Sequence, residues 1–181
     1  MRNSISVRQI VISGLFITMG LILPVIFHFF GLGSTFLPMH IPVLISGFIL
    51  PAHYSVLVGA MTPLLSSVIT GMPPIFPVMP YMVFELAVYA VSVSFLSQKL
   101  LFNSYLTLIC SMISGRIAAG IAVWVMTGLF EAKLPDPFVF FVSTVSSGIP
   151  GIVIQLLIIP PIVIVLKKTK VIRKEVLEIE Q

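Results

Sequence analysis

The sequence predicts an all-α, polytopic membrane protein: a bundle of six transmembrane helices with both termini in the cytoplasm. Three observations predict it. First, 58% of the 181 residues are hydrophobic and only 9% are charged, with a mean hydropathy of +1.17. Soluble domains carry about 45–50% apolar and about 25% charged residues. A soluble fold of this size cannot hide so much apolar surface, so lipid must be the solvent for most of the chain. Second, the apolar runs are cut by proline and glycine clusters rather than by charged loops. The clearest case is Phe36–Glu85, whose one formally charged side chain is Glu85 itself, at the very end. Third, basic residues flank the outermost runs, with Arg2 and Arg8 before the first and Lys167, Lys168, Lys170, Arg173 and Lys174 after the last. The positive-inside rule then places both ends in the cytoplasm, which requires an even number of crossings. No run alternates with period two, so the spans read as helices and not as barrel strands. The length suits one compact bundle, a single domain over residues 1–181, without a soluble catalytic domain.

In chain order, the first span is expected over Gln9–His28. Its apolar run is longer than the core of a signal peptide and no small-x-small cleavage site follows, so it reads as a retained helix. The turn GLGSTFLP leads to a short run, Met39–Leu50, with Pro42 near its start, where proline suits the first helical turn. The third span is expected over Ser55–Thr70 and ends in GMPPIFPVMP, too rich in proline to be helical throughout. The fourth runs over Tyr81–Leu96, closed by Gln98 and Lys99. The fifth covers Tyr105–Leu129 and precedes EAKLPDP, the one strongly polar internal loop. The sixth covers Phe138–Leu166 and meets the basic tail. A four-span alternative, with the second and third runs forming one re-entrant hairpin, keeps the same termini. The two halves share no evident repeat, which weighs against an inverted-repeat transporter.

Charges inside the spans are the first place to look for function, because one at the bilayer centre costs about 2.5–3.5 kcal/mol on insertion scales. There are two, Glu85 on the fourth span and Arg116 on the fifth. Either they pair and lock the two helices together, or they face a pocket in which Arg116 offers a forked cation to a carboxylate or phosphate. Tyr81, Glu85 and Tyr89 recur every four residues and share a helix face; the tyrosines suit a pocket wall, or equally an interfacial belt and a buried hydrogen bond. Arg116, Gly120 and Trp124 form a similar stripe, with Gly120 expected to clear space beside the guanidinium. On the sixth span Ser143, Ser147, Gly151 and Gln155 recur every four residues, a spacing typical of close helix packing; Gln155 is the member expected to reach a ligand.

Other chemistry is poorly represented. His28, His40 and His53 share no metal-binding spacing, and the lone Cys110 lies in an apolar run, so no metal site is expected. His53 reads as interfacial, whereas His40 is a candidate to line a pocket. There is no GxSxG, HExxH or Walker motif, so neither catalysis nor ATP binding by this chain is expected. The net charge of +4 is half tail, with five of the ten basic residues there, and suits membrane orientation and anionic lipid better than nucleic acid.

The segments LPMHIPVLISGFILP, GAMTPLLSSVITGMPP and MVFEL are similar to stretches that recur in one branch of the substrate-binding S components of energy-coupling factor (ECF) vitamin transporters, and the likeness extends over essentially the whole chain. The resemblance implies six helices with cytoplasmic termini and a substrate site near the outer face. It also implies partners: a transmembrane coupling subunit and two ABC-type ATPases, which use the ATP. The family's A-x-x-x-A pattern on the first helix falls here on Gly14 and Thr18, both small enough for close packing against the coupling subunit. The residues matching the family's substrate region are Met39, His40, Tyr81, Glu85, Arg116, Trp124, Ser147 and Gln155. Arg116 and Glu85 together suit pantothenate, which carries a carboxylate, hydroxyls and an amide; hydroxymethylpyrimidine and riboflavin are the alternatives. Two other classes stay open, a self-sufficient small transporter or channel and a structural membrane subunit whose Glu85–Arg116 pair is only a clamp.

Overall fold

A computed structural model describes residues 2–31, 36–130 and 137–168. The polar loop 131–136, residues 32–35 and the basic tail beyond Lys168 lie outside the described residues. Regular structure among the described residues is helical throughout. The elements are α1 (Arg2–Phe29), α2 (His40–Ile49), α3 (Ala52–Thr70), α4 (Val78–Ser94), α5 (Ser104–Phe130) and α6 (Pro137–Lys168). A π-helical turn, Phe95–Lys99, prolongs α4. The expected spans fall on these helices with small shifts at their ends. The largest shift is in α1, which starts about two turns early, so that Arg2 and Arg8 lie on the helix rather than ahead of it.

By length and composition, five of the described helices are each long enough to cross a membrane alone: Val7–Phe29, Ala52–Thr70, Val78–Lys99, Ser104–Gly128 and Phe138–Leu166. The exception is α2. Ten residues at 1.5 Å each reach about 15 Å, half the hydrocarbon thickness of a bilayer. In the re-entrant alternative α3 would turn back although it is long enough to cross by itself.

The short helix is nonetheless the core of the bundle. Nine of its ten residues are buried, as expected of a helix that is apolar all round. It packs against α1, α3, α4 and α6, while α1–α3, α3–α4, α4–α5 and α5–α6 contacts close an arc around it. Close approach is bought with glycine: a Cβ on Gly47 would meet Val93 and the Ala90 carbonyl, and one on Gly59 would run into the backbone of Leu86 and Ala87. The five long helices turn their remaining apolar faces outward, with Val11, Leu15, Ile22, Val68, Ile113, Ile121 and Leu157 all more than half exposed. That surface is suited to lipid.

Because α2 stops inside an apolar bundle, its last carbonyls need donors from neighbouring helices. Gln98 on the π-turn donates from Nε2 to Gly47 O (3.0 Å) and Leu50 O (2.9 Å). The Ser55 hydroxyl lies 3.0 Å from Leu50 O and 3.2 Å from Ser46 O. At the other end, Leu37 takes a positive φ of 49° and its carbonyl accepts the His40 N–H at 3.0 Å.

Candidate functional site

The depth of α2 creates the site. Its first residue, His40, lies beside Glu85, whose side chain departs seven residues into α4. Seven residues are about 10 Å of helix. The bundle therefore lacks two turns of central helix above His40, and a cavity of about 550 Å³ occupies that end. Its walls come from Pro24 and His28 at the end of α1, Leu37–Met39 before α2, and Ser66 and Thr70 at the end of α3. Met72, Tyr81 at the start of α4, and Thr144 and Ser147 on α6 complete them, with His40 at the bottom. Small-molecule sites typically measure about 300–1,000 Å³ and are mostly apolar with a few polar groups, as here. No Lys, Arg, Asp or Glu is among the described lining residues.

Under the cavity, three side chains converge on one carboxylate oxygen. Arg116 Nη1 lies 2.8 Å from Glu85 Oε1, the Tyr89 hydroxyl donates to the same oxygen at 2.9 Å, and His40 Nε2 stands 3.6 Å away. All four side chains are buried, His40 and Tyr89 with 2% exposure, Glu85 with 1% and Arg116 with 7%. The Tyr89 ring reaches this position because residue 115 is glycine, where a Cβ would collide with it. The two intramembrane charges thus pair with each other and join α4 to α5. Neither ring nitrogen of His40 has a hydrogen-bond partner, nor has Arg116 Nε. Among the described residues no group of three metal-ligating side chains occurs.

The residues singled out from the sequence divide into three groups. Met39, His40, Tyr81 and Ser147 line the cavity. Glu85 and Arg116 lie beneath it as an ion pair. Gln155 and Trp124 are elsewhere. Gln155 is buried and points its Nε2 at the Leu37 carbonyl, 3.5 Å away, tying α6 to the segment that leads into α2. Trp124 is 67% exposed on the outside of α5. Eight residues along a helix turn the side chain about 80° away from the starting face, so the Arg116 stripe leaves the interior before it reaches Trp124. Gly120 likewise has open space beside it; the small residue next to the guanidinium is Gly148, whose added Cβ would lie 3.4 Å from Arg116 Nη2.

Tyr81 packs edge-on against Phe140 of α6, ring centroids 5.0 Å apart. The wall supplied by Ser66 and Thr70 was not anticipated. Its signal is a polar pair four apart at a helix end, where both hydroxyls bond the Met72 carbonyl (2.6 and 3.1 Å) and hold the proline-rich loop against the cavity. On α1, Gly14 and Thr18 face away from the bundle; the Thr18 hydroxyl is satisfied by Gly14 O at 2.8 Å, and nothing lies within 4 Å of a Cβ at Gly14.

Neither the curated proteins nor the solved structures include a significant match to this chain. A family model does match, over residues 8–163, which takes in the cavity, the ion pair and the greater part of every described helix. The chain belongs to the family described as ECF transporter, substrate-specific component, and is a multi-pass membrane protein that serves as the substrate-binding subunit of such a transporter.

Proposed function

We propose that this subunit binds a small water-soluble vitamin or vitamin precursor in the cavity above α2, from the outer side of the cytoplasmic membrane, and delivers it inward together with a transmembrane coupling subunit and two ATPases. The observation that carries the reading is the cavity: a polar-bottomed space of ligand size at one end of a bundle whose other surfaces are apolar. The basic residues at the two ends of the chain put those ends inside and the cavity outside. ATP is used by the partners. Gly14 and Thr18 offer the coupling subunit an exposed face of α1 with little side-chain bulk.

Pantothenate is the first substrate to test, on the strength of its hydroxyl and amide groups rather than its carboxylate, because Arg116 is already committed to Glu85. Hydroxymethylpyrimidine and riboflavin follow. The test is a thermal-shift and calorimetric screen of water-soluble vitamins and precursors against the purified chain, without its partners. Stabilisation by one of them at one site per chain supports the reading, and no stabilisation by any of them removes it.

A further inference from the structure

We infer that His40 is a specificity residue, presenting a bare Nδ1 acceptor at the cavity floor and selecting substrates that carry an N–H or O–H donor there. The inference rests on the cavity being the substrate site. Its own support is the geometry beneath the floor. A neutral imidazole carries its proton on one nitrogen, and the neighbour of one nitrogen decides the state of the other. His40 Nε2 faces the Glu85 carboxylate at 3.6 Å; a lone pair turned toward that oxygen is repelled, so Nε2 holds the proton. Arg116, at 2.8 Å, already balances the charge of Glu85, and with Nε2 turned to the carboxylate as the donor, Nδ1 is left as the acceptor. No protein donor reaches Nδ1, although the ring is 98% covered. A buried acceptor without a donor is a cost that a matching ligand group removes.

The Glu85–Arg116–Tyr89 cluster is then a support for the histidine and not an anion receptor. Arg116 Nε is also unpartnered, but Arg116 is not among the lining residues, whereas His40 is. A consequence is a polarity for the bound substrate. Its donor-bearing end goes down to His40, and any carboxylate stays at the mouth, since the described lining holds no unpaired cation to receive it.

The experiment is a cycle between ligand and protein. The probe is pantothenate, or whichever of hydroxymethylpyrimidine and riboflavin binds in its place, with each O–H and N–H donor removed in turn by deoxygenation or methylation. Against the wild-type chain, one of these removals should weaken binding about 10- to 100-fold. Against His40→Phe the intact probe should bind weakly by a similar factor, and the same removal should change its affinity by no more than about twofold. His40→Asn, whose Oδ1 can stand near the Nδ1 position, should recover part of the coupling, and His40→Gln should not. That comparison also decides the matter if the phenylalanine variant fails to fold. A donor removal that costs the same in wild type, His40→Phe and His40→Asn overturns the inference while leaving the cavity as the site. If no probe binds the wild-type chain, the cavity reading itself fails.

Discussion

Replacing Arg116 by methionine separates a clamp from a receptor. The substitution leaves Glu85, 1% exposed, without its cation. Two unit charges 2.8 Å apart attract by about 6 kcal/mol at an effective dielectric constant near 20. Part of that is recovered, because Tyr89 still donates to Oε1 and the carboxyl can take up a proton. The net loss is therefore set at about 3 kcal/mol, the lower end of what breaking a buried pair costs. For a chain of this length that corresponds to a melting temperature lower by about 6–12 °C. The double variant Glu85→Gln, Arg116→Met removes both charges and should regain more than half of the loss. The assay is thermal unfolding of both variants in one detergent, followed by calorimetry with the best-binding vitamin. An unchanged melting temperature for Arg116→Met with abolished binding would refute the clamp and return Arg116 to the substrate.

Three further outcomes follow from the packing. Gln98→Leu removes the donor to the Gly47 and Leu50 carbonyls; Leu50 keeps Ser55 but Gly47 loses the partner seen here. It should destabilise the chain by about 1–2 kcal/mol, read by thermal unfolding, with vitamin binding retained below the transition. Gly115→Val places a side chain where the Tyr89 ring sits and should cost about 1–3 kcal/mol through overpacking, with Tyr89 detached from Glu85 in a crystal structure or by a shifted phenol absorption. Trp124 is the sole tryptophan and 67% exposed. Its fluorescence in vesicles should be strongly quenched by brominated acyl chains, and Trp124→Phe should leave vitamin affinity unchanged; quenching by aqueous iodide instead would place α5 differently.

What the sequence determined is the part that follows from solvent and backbone. Runs of apolar residues in a chain with 9% charge have to be helices in lipid, because only there is every backbone group satisfied without water. Their positions, the breaks at Pro51 and at residues 71–77, and the special standing of Glu85 and Arg116 were all legible for that reason. The family likeness was carried by the stretch around α2 and α3. Tertiary structure decided the rest. The sequence shows that α2 is short, but not that it sits low beside Glu85 and leaves a cavity over its first residue; that depth comes from Gly47, which lets α2 lie close against α4, and from Gln98 holding the far end. Spacing of four put Arg116 and Trp124 on one stripe, yet each such step turns the side chain by about 40°, and which end of the stripe faces inward depends on the neighbouring helices. The pairing of Glu85 with Arg116, on consecutive helices and thirty-one positions apart, was one of two readings of the sequence until their helices were packed. Charge can be counted along a chain; whether it is neutralised within the protein or offered to a ligand is a matter of distances.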